Sequence, residues 1–462
     1  MTTSALSHGG KWMHQLAGNF RNVSIYRAPS GKSALYASLV DIGDGEVLCA
    51  LRTSTMDDDP RMEAGNPWTN LDDEIVCIKS CDGCETWDAG TLRPIFADPE
   101  KYDYLDVTSA PLLRDGRLLL PFYQCSPDHD EQDPETWQAR LWLTRSSDRG
   151  ATWTEPTRLD PSPLHSTAAF GGIIRLHSGE LLLSCYGEAN RDRPDLGRGF
   201  GASGVFRSHD EGETWGAFAY VIYEQEAEQR EGCRGVNETS ITQLGDGRLL
   251  AVARSYYDQD DYPLYRSVSS DNGFTWDYAR TRLHGLCPCL RWVPQGPAGG
   301  TTILAYHDRY LDHQERGGIY LAFSHDCGQT WGYQTYVDTF AYPCLLQLAS
   351  GEMFLAWYSA DHTELKGAFF EVPFPTGIRA EVSAGVVELQ WDELRDDTHT
   401  YRLHRGLQAG FEPLPDNAIA ELPSSYGYRD TPAAGGKAYY VVTAWDGDRQ
   451  VGKSWEVAVS TE

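Results

Sequence analysis

Short apolar runs that follow a two-residue turn recur along the first 350 or so residues of the chain. An Asp-Gly or Ser-Gly pair between such runs is a hairpin signal, because glycine adopts the backbone angles that a tight turn requires. The turns begin at Asp44, Asp115, Ser178, Asp246 and Ser350, with a looser copy at Gly299. Helical periodicity is almost absent, so the pattern predicts an all-β chain built from repeated hairpins.

A second pattern, Ser-x-Asp-x-Gly-x-Thr-Trp, is independent of the first. Its five copies begin at Ser80, Ser146, Ser208, Ser269 and Ser324, at intervals of 55 to 66 residues, and the first copy carries Cys84 in place of the glycine. These residue types suit a tight hairpin in which the Asp carboxylate accepts turn amide protons, the Gly takes a positive φ and the Trp packs between sheets. We therefore interpret the pattern as a structural repeat.

This octapeptide resembles the Asp-box, or BNR repeat, of sialidase-like β-propellers. Every apolar hairpin precedes an Asp-box except the last one. The two patterns together predict six four-stranded blades, the sixth closed by an N-terminal strand near Arg21 to Tyr26. We expect an all-β fold with a six-bladed β-propeller over residues 1–375.

After Pro373 and Pro375 the pattern changes to the alternating strands of a small sandwich. The predicted strands include Val386–Trp391, Tyr401–Arg405 and Tyr439–Ala444. The early Trp391 and the tyrosines that follow it resemble a fibronectin type III module. We expect a fibronectin type III-like β-sandwich over residues 376–462, which serves either as a spacer or as an accessory that contacts carbohydrate.

The chain is strongly acidic, with 39 basic and 67 acidic residues and a net charge of −28. This balance argues against nucleic acid or an anionic membrane as a partner. A small anionic substrate is still possible, because a site can be locally basic inside an acidic protein.

No apolar segment resembles a secretion signal or reaches the length of a membrane span, so we expect a cytoplasmic location. Nothing in the sequence indicates an oligomeric state.

Eleven cysteines are scattered along the chain without the spacing of a disulfide framework. This distribution fits a reducing compartment. Cys81 and Cys84 fall inside a turn repeat, and Cys287 and Cys289 inside a predicted strand. We therefore interpret neither pair as a zinc site, and we predict no metal and no cofactor.

The repeat locates a candidate site, because a propeller brings corresponding positions of its blades together around one axis. Eight residues after the turns stand Arg52, Tyr123, Tyr186, Arg254 and Tyr358, with Asp308 or Arg309 in the looser fifth blade. Eight residues before the turns stand Tyr36, Val107, Phe170, Glu238 and Tyr342, with Cys287 in the fifth blade. A packed strand favours Val or Leu at such places, so arginine, tyrosine and glutamate there predict a polar floor that binds substrate.

Two segments make the resemblance more specific. The segment from Asn237 to Gly247, running on to Arg254, resembles the fourth-blade motif of exo-sialidases. Tyr342-Pro343-Cys344-Leu345 resembles the segment that carries the nucleophilic tyrosine of that family. The resemblance implies that Tyr342 is the nucleophile, that Glu238 is its partner, and that Arg254 binds the sugar carboxylate.

The resemblance also implies a further arginine and an acid. Arg316 stands where the last arginine of the family's triad would be, and Arg309 is a rival for that role. Sialidases keep an acid/base aspartate on a loop that corresponds to the run Asp57-Asp58-Asp59. Within this run we choose Asp58, six residues beyond Arg52; a solvated run of charges is the alternative.

One departure concerns the first arginine of the triad, which sialidases carry in a Phe-Arg-Ile-Pro motif. This chain has Tyr26-Arg27-Ala28-Pro29, but Arg27 lies further from Asp44 than that motif does, and Tyr36 occupies its place. Either Arg27 reaches the site from a longer loop, or Arg52 substitutes for it.

Sialidase chemistry explains these residue types. A sialoside carries a carboxylate on its anomeric carbon, and a carboxylate nucleophile would be repelled by about 4 kcal/mol at 4 Å with an effective dielectric of 20. A neutral phenol avoids this repulsion, provided that a nearby glutamate takes its proton. Arginines give the substrate carboxylate bidentate hydrogen bonds, and a loop aspartate protonates the leaving oxygen.

The sequence thus predicts a retaining exo-glycosidase that hydrolyses a terminal acidic sugar. One alternative is a polysaccharide lyase, in which a tyrosine or a histidine such as His307 or His165 abstracts a proton beside a uronate. Another is a different hydrolase on the same propeller. The third is a carbohydrate-binding propeller without catalysis, since one fold hosts many functions.

Overall fold

The computed structural model describes most of the chain in nineteen stretches. These are residues 18–56, 73–97, 104–107, 111–125, 139–189, 201–223, 233–257, 263–294, 300–308, 317–324, 326–329, 331–372, 378–391, 400–411, 413–423, 427–433, 435–446, 449–454 and 456–460. The chain forms two compact units, Ala17–Val293 with Thr302–Glu371, and Val372–Glu462 with Met1–Leu16 and Pro294–Thr301. The predicted boundary between residues 375 and 376 lies outside the described stretches and stays a prediction.

The larger unit consists of antiparallel sheets of four strands. Its strands are β1 (Gly18–Arg27), β2 (Leu35–Gly43), β3 (Glu46–Thr53), β4 (Glu74–Ser80), β5 (Asp88–Ala97), β6 (Tyr104–Val107), β7 (Leu118–Cys125), β8 (Ala139–Ser146), β9 (Thr157–Arg158), β10 (His165–Arg175), β11 (Leu181–Glu188), β12 (Gly201–Ser208), β13 (Gly216–Ile222), β14 (Cys233–Gln243), β15 (Leu249–Tyr257), β16 (Pro263–Ser269), β17 (Asp277–His284), β18 (Leu286–Val293), β19 (Thr301–Asp308), β20 (Gly318–Ser324), β21 (Gly332–Asp338), β22 (Cys344–Gln347), β23 (Met353–Tyr358) and β24 (Glu364–Glu371). Chain order gives five sheets, β2 to β5, β6 to β9, β10 to β13, β14 to β17 and β18 to β21, and the sixth has the order β1-β24-β23-β22. The prediction of an all-β fold is confirmed.

Contacts between the sheets follow chain order. Strands of each sheet contact strands of the next, and β22 of the sixth sheet contacts β2 of the first. A single parallel pairing, Gly201 with Gly235, joins the third sheet to the fourth. The predicted N-terminal closing strand is confirmed, because β1 pairs with β24 through Asn22 opposite Ala368 and its neighbours.

Each Asp-box is held by the hydrogen bonds that its residue types predict. In the second box, Ser146 Oγ donates to Asp148 at 2.8 Å and accepts from the Gly150 amide at 2.8 Å. The amide and the hydroxyl of Thr152 both donate to the Asp148 carboxylate, at 2.8 and 2.6 Å. The same threonine contacts recur around Asp82, Asp210 and Asp271.

Close packing between sheets explains the glycine of the box. A Cβ atom at Gly150 would clash with Leu48 of the preceding sheet, and one at Gly212 would clash with Leu119. Both glycines also have positive φ, 84° and 80°. The first box reaches the same backbone geometry without glycine, since buried Cys84 has a φ of 74°.

The Asp-box carboxylates make stability depend on pH. Hydrogen bonds from Thr152 and then Ser146 lower the pKa of Asp148 to about 2, and those from Thr214 and Ser208 do the same for Asp210. A carboxyl with a depressed folded pKa adds stability above its unfolded pKa, about 3.9, and loses it as pH falls through the folded value. We expect the melting temperature of Asp210→Asn to fall less than that of the wild type between about pH 4 and pH 2.

Thermal unfolding followed by circular dichroism measures this difference. Glu155→Gln, at an exposed carboxylate outside the boxes, is the matched control. An identical pH dependence in the wild type and Asp210→Asn would contradict the role given to the box.

The smaller unit contains two antiparallel sheets around one core. Its elements are β25 (Ile378–Ser383), β26 (Val386–Trp391), β27 (Thr400–Gly406), a 3₁₀ turn (Pro415–Asn417), β28 (Ala418–Pro423), β29 (Gly427–Asp430), β30 (Lys437–Asp446), β31 (Arg449–Lys453) and β32 (Val457–Ser460). One sheet has the order β25-β26-β29, and the other has β28-β27-β30-β31 with β32 on β30. Trp391 and Tyr401 belong to the shared core, with ring centroids 6.0 Å apart. The fibronectin type III-like character of this unit stays a prediction.

None of the helices in the described part of the chain is long and apolar enough to cross a membrane.

Candidate functional site

Glu238 and Tyr342, 104 positions apart in the chain, meet in the larger unit. Glu238 lies on β14, and Tyr342 stands just before β22. The Tyr342 hydroxyl donates a hydrogen bond of 2.8 Å to Glu238 Oε1. The glutamate is 4% exposed. The structure therefore brings together the pair that sequence reasoning singled out, in an orientation that suits transfer of the phenol proton to the carboxylate.

The second oxygen of the carboxylate has two further partners. Arg254, on β15, lies with Nη1 3.2 Å from Glu238 Oε2, and the Cys287 amide donates to the same oxygen at 2.9 Å. Strands β14 and β15 pair with a register shift between Val236 and Thr239, which spans Glu238. Three separate elements thus fix one carboxylate.

Left-handed backbone angles recur at one position of the repeat. Tyr36, Cys287 and Tyr342 have φ values of 49°, 52° and 56°. A non-glycine residue rarely adopts this conformation, and such residues concentrate at functional sites. At Cys287 this backbone conformation accompanies the amide hydrogen bond to Glu238.

The contacts of the pair shift its pKa values in opposite directions. Burial opposes ionisation of Glu238, but the charge of Arg254 and the hydrogen bonds from Tyr342 and Cys287 outweigh burial and hold the pKa of Glu238 below its ordinary value. Burial, with the nearby Cys287 and Glu238, raises the pKa of Tyr342 well above its ordinary value. Burial would lower the pKa of Arg254, but the Glu238 charge raises it. The proton therefore rests on the phenol, and the glutamate is ionised.

Aromatic rings surround Tyr342. The ring of Tyr36 meets it edge-on at 4.6 Å, and that of Tyr358 stacks on it at 6.0 Å with 17° between the planes. Phe170 approaches at 6.4 Å, and Phe340 lies 5.6 Å from Tyr358. These contacts hold the Tyr342 ring independently of its hydroxyl.

A fully buried ion pair lies beside this aromatic group. Arg52 Nη2 lies 2.9 Å from Asp73 Oδ2, and both side chains are 0% exposed. The Arg52 guanidinium also lies 5.9 Å from the centre of the Tyr36 ring. Sequence reasoning selected Arg52 but missed Asp73, which belongs to no motif.

Arg27 is not brought to this cluster. It ends β1, the outermost strand of the sixth sheet, three strands away from β22. Its side chain is 71% exposed and forms an ion pair with Glu364 at 2.8 Å. The expectation that Arg27 reaches the site from a longer loop is wrong, because β1 pairs along its length with β24.

Of the other predicted site residues, the structure describes two tyrosines and does not describe the predicted acid or two of the arginines. Tyr123 lies on β7 and Tyr186 on β11, both partly buried, at the strand positions from which they were predicted. Asp58, Arg309 and Arg316 lie outside the described residues, and their roles stay predictions.

Among the described residues, no group of three or more His, Cys, Asp or Glu side chains could hold a metal ion. Cys81 is exposed while Cys84 is buried, and the nine cysteines whose side chains the structure describes are free.

A family model of the BNR repeat-like domain matches residues 111–355, more than half of the chain. A protein of unknown function from Dyadobacter fermentans DSM 18053 is 19% identical, with a TM-score of 0.60 over 76% of this chain and 99% of that one. The intramolecular trans-sialidase from Ruminococcus gnavus is 15% identical, with a TM-score of 0.52 over 75% of this chain and 97% of that one. The Trypanosoma rangeli sialidase, solved with sialic acid, is 12% identical, with a TM-score of 0.55 over 96% and 88% of the two chains. These similarities show a sialidase-like β-propeller fold.

Proposed function

The chain belongs to the family of BNR repeat-like domains, and from this premise we propose that it is a retaining exo-glycosidase that hydrolyses a terminal acidic sugar. The observation that carries the proposal is the hydrogen bond of 2.8 Å between the Tyr342 hydroxyl and Glu238, with Arg254 on the other carboxylate oxygen. A phenol, a base and a guanidinium within one cluster are the groups that covalent catalysis on an anionic sugar needs.

In the proposed reaction, Tyr342 is the nucleophile. Its oxygen attacks the anomeric carbon while its proton passes to Glu238 Oε1, along the hydrogen bond that already joins them. The glycosidic bond breaks, and an acid protonates the leaving oxygen; Asp58 is the residue predicted for this step. The deprotonated acid then takes a proton from water, which attacks the anomeric carbon of the covalent intermediate from the face that the leaving group vacated. The bond from this carbon to the Tyr342 oxygen breaks, Glu238 returns the proton to that oxygen, and the product retains its configuration.

The neutral phenol suits an anionic sugar for an electrostatic reason. With its pKa raised, Tyr342 carries no charge before attack, so it does not repel a carboxylate on the anomeric carbon. Arg254, 16% exposed and positively charged, supplies the attraction. Tyr36 and Tyr358 are 4% and 0% exposed, so their rings support Tyr342 from behind; the predicted direct contact of Tyr358 with the substrate is wrong, because the ring is fully buried.

A substrate panel tests this function. The purified protein is incubated with aryl glycosides of sialic acid, of a related 2-keto acid, of a uronic acid and of neutral hexoses, and NMR identifies the anomer first released. We expect turnover of an acidic glycoside with retention of configuration. Turnover of neutral glycosides alone would contradict the role of Arg254.

The same panel separates the alternatives. Release of an unsaturated uronate, detected by its ultraviolet absorbance, would show that the protein is a lyase and not a hydrolase. An inverted product would remove the covalent tyrosine step. Binding of acidic sugars without turnover would support the alternative of a carbohydrate-binding propeller without catalysis.

A further inference from the structure

The Glu238 carboxylate faces two conflicting demands. To take the proton of Tyr342, it must be a base, yet Arg254 and the Cys287 amide stabilise its anionic form through Oε2. A carboxylate stabilised in this way binds a proton weakly. With the pKa of Tyr342 raised and that of Glu238 lowered, the free site resists the proton transfer on which the proposed reaction depends.

The three partners of Glu238 differ in their freedom to move. The Cys287 amide belongs to the backbone of β18, and the ring of Tyr342 is packed between those of Tyr36 and Tyr358. Arg254 is held at Glu238 by the end of a long side chain, and 16% of that side chain is exposed, against 5% for Glu238. Arg254 is therefore the partner that a ligand can reach and displace.

We propose that Arg254 couples anion binding to activation of the base: an anionic sugar draws the guanidinium away from Glu238, and only then does Glu238 accept the proton of Tyr342. This inference rests on the proposed function and deepens it. A neutral sugar leaves Arg254 on Glu238, so the site discriminates between anionic and neutral sugars by switching its base as well as by affinity. After the switch, the Cys287 amide still directs the carboxylate towards Tyr342.

The other charged side chains near Glu238 are consistent with Arg254 acting as the switch. Other titratable or charged residues with described side chains on the strands packed around Glu238 and Tyr342 include Tyr36, Asp41, Glu46, Cys49, Arg52, His165, Arg175, Cys185, Tyr186, Glu188, Arg207, Cys287, Cys289, Arg291, Cys344 and Tyr358. Arg52 pairs with Asp73, Arg175 with Glu211 and Arg207 with Glu180. Of the described basic side chains, Arg254 is the one that forms an ion pair with Glu238.

The coupling predicts uptake of a proton when the anion binds. In the free protein the pKa of Glu238 is depressed, so the carboxylate is ionised at about pH 5. Without Arg254 and beside an anion, burial raises the pKa, and the carboxylate takes up a proton. Binding at about pH 5 should therefore take up as much as one proton per ligand, and the affinity for the anion should rise as pH falls.

Isothermal titration calorimetry measures this uptake directly. The full-length protein is titrated at about pH 5 with N-acetylneuraminic acid, in two buffers that differ in ionisation enthalpy, with the neutral sugar N-acetylmannosamine as the matched ligand. We expect proton uptake with the acid alone, and its loss in Glu238→Gln. Binding without proton uptake, or no binding of the acid, would overturn the proposal.

Arg254→Gln separates the movement of the arginine from a direct effect of the anion. Loss of proton uptake or loss of acid binding in this variant supports the switch, while full uptake without Arg254 overturns it. The outcomes also distinguish the two proposals. Proton uptake without hydrolysis of any glycoside would support the role of Arg254 as a switch and contradict the glycosidase function. Hydrolysis without proton uptake would support the glycosidase function and contradict the switch.

Discussion

Replacing Tyr342 by Phe is expected to lower kcat on an acidic aryl glycoside by roughly 10⁴- to 10⁶-fold, the scale seen when one member of a catalytic unit is removed. The substitution removes the oxygen that attacks the anomeric carbon and that donates to Glu238. It leaves the ring in its contacts with Tyr36 and Tyr358, so the melting temperature should change little. Steady-state kinetics and thermal unfolding on the same preparation measure both effects.

A double-mutant cycle tests whether Tyr342 and Glu238 act as a unit. Glu238→Gln alone should also cost orders of magnitude, since the amide cannot accept the phenol proton. Added to Tyr342→Phe, it should cost much less than it does alone. Tyr336→Phe, on the outer strand β21, removes the same oxygen elsewhere and should leave kcat unchanged. Independent, multiplicative losses would show that Tyr342 merely lines the cluster.

Counting from the turns predicted much of the site, because the repeat fixes the length of its hairpins. Glu238 stands eight residues before its turn and Arg254 eight residues after it, so β14 and β15 carry them to the same end of one sheet. Tyr342 and Tyr358 occupy the same two positions in the sixth sheet. Since the sheets repeat one geometry, positions that are equivalent in sequence meet in space.

The same counting failed where the chain departs from the repeat. Arg27 ends the strand that closes the sixth sheet, and a strand on the outer edge cannot carry its last residue to the inner strands. The hydrogen bond from the Cys287 amide to Glu238 could not be predicted from the sequence for another reason. Every residue except proline carries a backbone donor, so the sequence does not mark the one that points at Glu238.

The partner of Arg52 was also invisible in the sequence. Asp73 precedes β4 by one residue and belongs to neither repeat. An acidic residue beside a strand is ordinarily a solvated one, and only the fold reveals that this carboxylate is 0% exposed and paired.

Arg52→Met is expected to destabilise the protein by about 3–5 kcal/mol, because it leaves the buried Asp73 carboxylate without its countercharge. Both side chains of the pair are 0% exposed, so water does not compensate for the loss. Arg27→Met is the matched control: its pair with Glu364 is at the surface, and its loss should cost within about 1 kcal/mol. Urea unfolding of both variants measures the difference.

Removing the second charge as well should restore most of the stability. Arg52→Met combined with Asp73→Leu replaces a buried ion pair by apolar side chains, a change that is often neutral. If Arg52→Met lowers the free energy of unfolding as little as Arg27→Met does, the ion pair of Arg52 with Asp73 is weak, and the guanidinium is available to bind a ligand carboxylate. If it is severe and the double variant recovers, a ligand would have to compete with Asp73 for Arg52. The arginine would then act through the Tyr36 ring, 5.9 Å away, and Arg254 would carry the recognition of the anion.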